Sequence, residues 1–377
     1  MSNNPSLPKL AFYCSSASWG GLEMKTLRYA KALQAEGFQV CTYVVEGTPL
    51  FQHAIELNLP MQVVARNKKY FDFKHARQVA KLFEKDEIDA VHFSDTRDLD
   101  FLGWVKYFSK RKIKLAYHQA MILGVTKKDF IHTIRFKRID AWVSTLNYMQ
   151  KQVLTHTRLS EEKLHIIPIG TAISASTRLS KEQARAELNL PPDKFIVGIV
   201  GRLDPKKGQL EVIQAIPLVQ HSDKNIQVVF VGDKTKNESD DYVQELKNSI
   251  TDSLLEEVVT FIPHQPNIQQ MYNAFDMVIV PSWEETFGMV TIEAMASGVA
   301  VIGSNTAGTA EILEIKKYLF EPKNPTQLSK TWLEVMTNDS DRKNWAIQLE
   351  QKFQEKYSMQ SSIHAWKQLL IQTVEHD

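Results

Sequence analysis

The stretch KLAFYCSSASWGGLEMKTLRYAKALQAEGFQVCTYVV, which spans Lys9–Val45, contains two apolar runs separated by a helical pattern. The runs Lys9–Ser15 and Phe38–Val45 have the length and composition of buried strands, and the apolar residues between them recur at helical spacing until Gly37. A strand, a helix and a second strand joined by short turns form a parallel β-α-β unit. The stretch therefore predicts an α/β fold with a parallel sheet.

The same alternation continues along the chain and restarts once. Further strand-like runs in the first half are Ile88–Ser94, Ile113–Gln119, Ile139–Thr145 and Leu164–Gly170. A segment rich in small residues and prolines follows, and the pattern then resumes with Phe195–Gly201, Ile226–Gly232, Val258–Pro263, Asp276–Ser282 and Val299–Ser304. We predict two doubly wound α/β domains, joined near residues 171–190, with ligands at the carboxyl ends of their strands.

The composition is that of a globular protein with about two domains. Of the 377 residues, 43% are hydrophobic and 24% are charged, and the net charge of +1 gives no case for nucleic-acid binding. Residues 1–177 contain 25 Lys and Arg against 16 Asp and Glu, whereas the remaining residues contain 20 against 28. A basic first half and an acidic second half indicate different binding partners for the two halves.

Several features favour a cytoplasmic location. The two cysteines, Cys14 and Cys41, fall in apolar strand-like runs and offer no disulfide framework, as expected in a reducing cytosol. The first residues lack the charged-then-apolar pattern of a signal peptide, and no run approaches the roughly 18 apolar residues of a membrane span. We expect any contact with a membrane to be peripheral and on its inner face.

Two cations follow the first strand of the second domain, in GRLDPKKG (Gly201–Gly208). Arg202 and Lys207 would lie beside the start of the next helix, where backbone N–H groups already favour an anion. An Arg for bidentate contact and a Lys as a point charge suit a diphosphate, although a solvated turn with two surface cations is the alternative. Pro217 predicts that this helix kinks or ends early.

Two glutamates flank a glycine in SWEETFGMVTIEAMASG (Ser282–Gly298). Glu285 would lie in the loop after a strand, and Glu293 more than one turn into a helix that starts near Gly288. The first N–H groups of that helix would be available to a phosphate, while each carboxylate could accept bonds from sugar hydroxyls. The alternative is that Glu285 caps the helix and Glu293 is a solvated acid.

These motifs resemble those of a known family. Glu285–Glu293 resembles the E-x-F-G-x-x-x-x-E signature of family-four retaining glycosyltransferases with the GT-B fold. GRLDPKKG is similar to the G-R-L-x-x-x-K-G element of that family, and GGLE, which contains Gly20 and Gly21, is similar to its early G-G-x-E loop. The stretches Val259–Ser282 and Ser304–Leu313 resemble the segments on either side of the signature.

The resemblance implies two Rossmann-like domains that face each other across a cleft. Residues 1–171 would bind the acceptor, with a C-terminal helix at about 352–377 packing back on them, and residues 172–351 would bind the donor. The implied donor is a nucleotide-diphosphate sugar, UDP- or GDP-linked, which is a co-substrate, so no separate cofactor or metal is expected. The Asp-x-Asp pair Asp98 and Asp100 would then only start a helix, where acids are favoured.

The resemblance also implies roles for individual residues. Arg202 and Lys207 would neutralise the diphosphate. The glycines Gly20 and Gly21 and the amides of Met289 and Val290 would approach the phosphates. Glu293 would hold the ribose hydroxyls, and Glu285 the donor sugar. The remaining implied contacts are Phe287, Gly288 and Met289 around the sugar, Ile262, Pro263 and His264 near the base, and His118 near the transferred group.

Two basic stretches lie in the first half. Lys106–Lys114 has no acid, and Thr126–Arg138 mixes cations with Phe130, Ile131 and Ile134. Such a mixture can rest on an anionic membrane or bind a phosphorylated acceptor, although a solvated helix over its own core is the alternative.

The sequence thus predicts a retaining, metal-independent glycosyltransferase that moves a hexose-type sugar to an acceptor hydroxyl of a cell-envelope glycan or lipopolysaccharide. The closest alternative is a nucleotide-sugar epimerase or hydrolase of the same fold. A catalytically silent sugar-nucleotide binding protein is the third possibility.

Overall fold

A computed structural model of the chain describes residues 7–68, 71–172, 179–222, 225–234, 240–265 and 268–375. The chain forms two compact units. Unit 1 comprises Met1–Ile169 with Gln360–Asp377, and unit 2 comprises Gly170–Met359. Part of the predicted connection, residues 173–178, and the last two residues of the predicted C-terminal helix lie outside the described residues.

Unit 1 contains a parallel sheet of seven strands in the order β3-β2-β1-β4-β5-β6-β7. Its strands are β1 Leu10–Cys14, β2 Val40–Val44, β3 Met61–Val63, β4 Ala90–Phe93, β5 Lys114–His118, β6 Ala141–Ser144 and β7 Leu164–Ile166. Its first helices are α1 Gly21–Ala35, α2 Pro49–Glu56, α3 Phe73–Lys85, α4 Thr96–Phe108, α5 Phe130–Lys137 and α6 Asn147–His156.

Unit 2 contains a parallel sheet of six strands in the order β10-β9-β8-β11-β12-β13. Its strands are β8 Phe195–Val200, β9 Ile226–Val231, β10 Val259–Ile262, β11 Met277–Val280, β12 Ala300–Ser304 and β13 Leu319–Phe320. Its helices are α7 Lys181–Glu187, α8 Gln209–Gln220, α9 Asp241–Asp252, α10 Ile268–Tyr272, α11 Met289–Ala296, α12 Ala307–Leu313, α13 Pro325–Thr337 and α14 Asp339–Lys352.

The last described helix, α15 Met359–Glu375, returns residues 360–375 to unit 1. Ser362 Oγ lies 2.7 Å from the Tyr29 hydroxyl and donates to the carbonyl of Pro168 at 2.7 Å. Trp366 is fully buried there, against Tyr29 and His92. Burial of a large aromatic side chain contributes several kcal/mol, so α15 is part of the core of unit 1.

The prediction of two doubly wound α/β domains is confirmed, with two short strands and one helix differing from expectation. The edge strands β3 and β13 were not predicted, because three and two residues are too few to show a strand periodicity. The sequence predicts that α8 kinks or ends early at Pro217; the helix runs through Pro217 to Gln220, so the early end is wrong. Within the described ranges, none of the helices combines the length and hydrophobicity that a membrane crossing requires.

The strand orders place a reversal in each sheet. In unit 1 the chain leaves β1 toward β2 on one side and returns to β4 on the other, and in unit 2 it does the same around β8 and β11. The carboxyl ends on either side of such a reversal leave a crevice between diverging loops. The ligand-binding edge of unit 2 is therefore expected between the loops that follow β8 and β11.

Candidate active site

The loops after β8 and β11 of unit 2 bring two of the predicted catalytic residues together. Lys207 ends a short 3₁₀ turn after β8, and Glu285 follows β11. The Lys207 Nζ atom donates to Glu285 Oε2 at 2.8 Å, and both side chains are partly buried. The ion pair places a cation and a carboxylate at the expected crevice.

Arg202 lies on the same loop as Lys207, with an exposed side chain. Its carbonyl oxygen accepts a bond from Gln209 Nε2 at 2.8 Å, which ties the loop to the first turn of α8. A cation on an ordered loop beside a helix N-terminus is suited to an anionic ligand.

Trp283, which sequence reasoning did not single out, joins the two loops. Its backbone N–H donates to the carbonyl of Lys206 at 2.8 Å, and its indole Nε1 donates to Glu211 Oε1 at 2.9 Å. The Nζ atom of Lys323 lies 3.9 Å above the same indole ring. These contacts fix the segment that carries Glu285 against the turn that carries Lys207.

Two glycines allow the backbone segments around the site to come close. Gly208 has a φ of +73°, and a Cβ atom there would lie 2.3 Å from the Pro281 carbonyl oxygen. Gly308, at the start of α12, donates its N–H to the Glu285 carbonyl at 3.0 Å, and a Cβ atom there would lie 2.6 Å from the Phe287 carbonyl oxygen. Sequence reasoning missed Gly308, although it lies in the Ser304–Leu313 stretch, because its contact with Glu285 joins residues distant in sequence.

Helix α11 begins as predicted. Gly288 is its N-cap with a φ of +96°, a conformation that favours glycine, and no side chain of the described residues caps the helix there. Met289 and Val290 are its first two residues and Phe287 is buried just before it. The N–H groups of Met289 and Val290 lack intrahelical acceptors, so these groups are suited to binding an anion.

Glu293 lies inside α11, and a buried tyrosine holds its carboxylate. The Tyr272 hydroxyl donates to Glu293 Oε2 at 3.2 Å. Burial, followed by the charge of Glu293, raises the pKa of Tyr272 well above its usual range, so the phenol remains a donor. Sequence reasoning missed Tyr272, although it lies in the Val259–Ser282 stretch.

The three residues predicted near the base lie at the carboxyl end of the edge strand β10. Ile262 ends β10, and Pro263 and His264 are exposed beyond it. The strand β9 separates β10 from β8, so these residues lie along the same carboxyl edge as Arg202 and Lys207.

In unit 1, the predicted residues lie at the carboxyl ends of β1 and β5. Gly20 is the N-cap of α1, and a Cβ atom at Gly21 would meet no atom within 4 Å. His118 ends β5 and is fully buried, with Nδ1 3.2 Å from His92 Nε2. Burial, followed by the nearby charge of Lys25, lowers the pKa of His118 well below its usual range, so its imidazole is neutral.

The acids of the Asp-x-Asp pair have separate partners. Asp98 accepts from the backbone N–H of Ser15 at 3.2 Å, and Asp100 pairs with Arg135. Burial raises the pKa of Asp98 to about 7. Across the part of the chain that the structure describes, there is no group of three or more His, Cys, Asp or Glu residues that could hold a metal.

The basic stretch around α5 has an apolar surface feature. An open pocket of about 250 Å³, here called the lateral pocket, lies between α4 and α5. Phe71, Phe130 and Ile131 at its rim are 73%, 78% and 66% exposed. The complete lining is Phe71, Asp100, Trp104, Phe130, Ile131, Ile134, Arg135 and Arg138. The cation of Arg138 stacks 4.1 Å from the Trp104 ring, so the pocket has an apolar wall and a cationic rim.

Two family models match consecutive parts of the chain. The model of Glycosyltransferase Family 4 matches residues 19–174, and the model of Glycosyl transferases group 1 matches residues 180–352. The first lies mainly in unit 1 and the second lies in unit 2.

Two curated relatives are 31% identical to the chain over part of its length. A D-inositol 3-phosphate glycosyltransferase of Nocardia farcinica is 31% identical over 175 residues, 45% of this chain and 38% of the relative. A lipopolysaccharide 1,2-N-acetylglucosaminetransferase of Salmonella typhimurium is 31% identical over 160 residues, 41% of this chain and 42% of the relative. The matched part thus spans less than half the length of either relative.

Solved structures match nearly the whole chain. A glycosyltransferase from Rickettsia africae superposes with a TM-score of 0.84 at 17% identity, covering 98% of this chain and 100% of that one. The HepE protein of Anabaena, solved in complex with UDP, superposes with a TM-score of 0.82 at 21% identity, covering 97% and 100%. With the two family models, this likeness of fold shows that the chain belongs to the family-four glycosyltransferases of the GT-B fold.

Proposed function

We propose that the chain is a retaining glycosyltransferase that transfers a hexose-type sugar from a nucleotide-diphosphate sugar to an acceptor hydroxyl. The observation that carries the proposal is the Lys207–Glu285 pair at 2.8 Å, formed at the carboxyl edge of unit 2. Arg202 on the same loop and the start of α11 add further groups that favour an anion.

The proposed chemistry depends on stabilising the leaving group. As the bond from the sugar to the nucleotide diphosphate breaks, negative charge develops on the phosphate oxygens and the sugar becomes oxocarbenium-like. Arg202 and Lys207 would stabilise that charge without a metal ion. Retention would follow if the leaving phosphate oxygen accepts the acceptor's proton on the same face of the sugar. We assign no enzymic nucleophile.

The carboxylates would recognise the two ends of the donor. Glu293, held by the Tyr272 hydroxyl, would accept bonds from the ribose hydroxyls, and Glu285 would accept bonds from the donor sugar. The base would lie near Ile262, Pro263 and His264. The UDP complex of the Anabaena protein supports UDP as the first nucleotide to test, with GDP as the second.

We propose an acceptor in a cell-envelope glycan or glycolipid, modified in the cytoplasm. The similarity to a lipopolysaccharide 1,2-N-acetylglucosaminetransferase supports this class of acceptor. Unit 1 would receive it, with His118 and the Gly20–Gly21 turn toward the transferred group.

We also propose that the lateral pocket rests on an anionic membrane surface. Its exposed aromatic and aliphatic rim would enter the interface, while Arg138 and the neighbouring cations would meet lipid phosphates. Such contact would bring the enzyme to a lipid-linked acceptor.

A nucleotide-release assay tests the proposed reaction. The full chain is incubated with UDP-, GDP- and ADP-linked hexoses, with and without envelope glycan or glycolipid acceptors, and product anomers are determined by NMR. Acceptor-dependent release with retained configuration is expected. Turnover without an acceptor would indicate an epimerase or hydrolase, and nucleotide binding without turnover would indicate a binding protein.

Vesicle co-sedimentation tests the membrane contact. The wild type should bind vesicles that contain phosphatidylglycerol and dissociate at high salt. The double variant Phe130→Ser/Ile131→Ser should lose at least five-fold in bound fraction. Leu254→Ser removes an even more exposed apolar side chain from unit 2, and this variant should bind as the wild type does. Equal binding by all three proteins would refute this contact.

A further inference from the structure

A group of buried nitrogen and oxygen atoms without partners lies on one side of the unit 1 sheet. Lys25 Nζ, His92 Nδ1, Ser94 Oγ and His118 Nε2 are buried and have no hydrogen-bond partner among the described residues. Most buried polar atoms in proteins are hydrogen-bonded, and an unpaired buried ammonium is especially unfavourable. Four such atoms in one region indicate a ligand or ordered water.

The four residues lie on the same side of the sheet. His92 pairs in register with Ala116, so His118, two positions later, extends from the same face. The same register, continued by one residue, places Ser94 opposite His118. The Tyr29 ring on α1 contacts both imidazoles, with centroids 6.1 Å and 5.4 Å away. Lys25 lies one turn before Tyr29 on α1, toward the carboxyl edge.

The tautomers limit what this group can bind. In a neutral His92–His118 pair, one imidazole donates to the other, so the two outer nitrogens present one N–H donor and one lone pair. Ser94 supplies a hydroxyl, and a charged Lys25 supplies three more donors. The site therefore offers more hydrogen-bond donors than acceptors, and it carries a positive charge. Both properties favour a ligand with an anionic oxygen group over a neutral ligand.

Among the residues that the structure describes, no carboxylate pairs with Lys25. Burial lowers the pKa of Lys25 to about 7, and this side chain in turn lowers the pKa of both histidines. The ammonium forms no salt bridge with a described residue. A carboxylate or phosphate on a ligand would supply the missing charge and hydrogen-bond acceptors together.

We propose that Lys25, Ser94 and His118 form a site for an anionic group, carboxylate or phosphate, carried by one of the sugar substrates. The proposal rests on the proposed glycosyl transfer and narrows its substrates to an acidic or phosphorylated sugar. The position of the site at the carboxyl ends of β4 and β5 agrees with the general location of ligands in doubly wound sheets.

Two sets of matched ligands test the site and show whether the anionic group belongs to the donor or to the acceptor. Isothermal titration calorimetry in a phosphate-free buffer compares UDP-glucose with UDP-glucuronate, and glucose with glucuronate and glucose 6-phosphate. In one set or in both, the wild type should bind a charged ligand at least ten-fold more tightly than the neutral ligand of that set. A preference in the first pair assigns the charge to the donor, and one in the second set assigns it to the acceptor.

Two variants test whether Lys25 and Ser94 cause the preference for a charged ligand. Lys25→Met should reduce it to less than two-fold while leaving the affinity for the neutral member unchanged, and Ser94→Ala should reduce it three- to ten-fold. Lys31→Met, an exposed lysine on the same helix, should retain it. Circular dichroism checks that each variant is folded.

The outcomes separate this inference from the proposed function. If UDP binds but the wild type shows no preference for any charged probe, the buried atoms hold only water and the inference fails alone. A preference that persists in Lys25→Met also overturns it. If neither UDP nor GDP binds and no sugar is transferred, the proposed function fails.

Discussion

The Lys207 Nζ atom donates to Glu285 Oε2 at 2.8 Å, although the two residues are 78 positions apart in the chain. The side chains are 25% and 17% exposed, so the pair lies between a surface ion pair and a buried one. Its importance lies in geometry rather than in stability. Both charged groups are in position before a ligand arrives, which reduces the ordering required on binding.

Removal of Lys207 should abolish most of the activity. Lys207→Ala is expected to lower turnover at least 100-fold, about 2.7 kcal/mol of transition-state stabilisation, because a charge beside the leaving diphosphate is lost. Arg202→Ala should have an effect of the same size. The measurement is kcat from nucleotide release. The neighbouring exposed Lys206, changed to alanine, is the matched control, and near-normal turnover in both site variants would contradict the diphosphate assignment.

Glu285 should act on the sugar rather than on the nucleotide. Glu285→Gln keeps the size of the side chain but removes its charge, and kcat/KM for the nucleotide sugar should fall at least ten-fold while the Kd for free UDP changes less than three-fold. Glu284→Gln, at the exposed adjacent acid, should change neither quantity. A large loss of UDP affinity in Glu285→Gln would contradict this division of roles.

Tyr272 should affect nucleotide affinity through Glu293. Tyr272→Phe removes the hydroxyl that donates to the carboxylate and is expected to raise the Kd for UDP about three- to ten-fold, close to the roughly 1 kcal/mol of one hydrogen bond. Titration calorimetry measures the change. An unchanged Kd together with a normal melting temperature would show that Glu293 does not depend on this bond.

Gly308 should be intolerant of any side chain. A Cβ atom would lie 2.6 Å from the Phe287 carbonyl oxygen, so Gly308→Ala should push the Glu285–Phe287 loop outward and lower kcat at least ten-fold, with a lower melting temperature. Gly124→Ala, where a Cβ atom meets nothing within 4 Å, is the control. Full activity in Gly308→Ala would mean that the loop position is not critical.

Lys25→Met should stabilise the protein in a pH-dependent way. Burial lowers the folded-state pKa of Lys25 from 10.5 to about 7, so between these pH values the unfolded chain binds the extra proton. Wild-type stability should therefore rise from pH 7 toward pH 10 relative to the variant. The variant's advantage, about a few kcal/mol at pH 7, should shrink over that window in urea denaturation. Parallel stability curves would show that Lys25 does not titrate there.

Local sequence patterns were sufficient for most elements but not for their contacts. The apolar run Phe195–Gly201 and the glycine before Met289 correctly located β8 and the start of α11. The edge strands β3 and β13 were missed because they are too short to carry a periodicity. Helix α8 continues through Pro217, and buried residues along the helix pack in unit 2. The rule that proline ends a helix considers one residue and does not include such packing.

The candidate site shows the same limit. The sequence singled out Lys207 and Glu285 separately, each with a different proposed ligand, and did not predict that they pair. That contact depends on β8 and β11 being neighbours in the sheet, and strand order is a long-range property. Tyr272 and Gly308 were missed for the same reason, since each acts through a residue distant in sequence.

The return of α15 to unit 1 has a consequence for synthesis of the chain. Tyr29, His92 and His118 precede unit 2 in the chain, whereas Trp366, which packs against them, follows it. Unit 2 is continuous in sequence, so all of its residues are translated before Trp366. During translation, the buried histidines of unit 1 therefore remain open to water until the whole of unit 2 has been made.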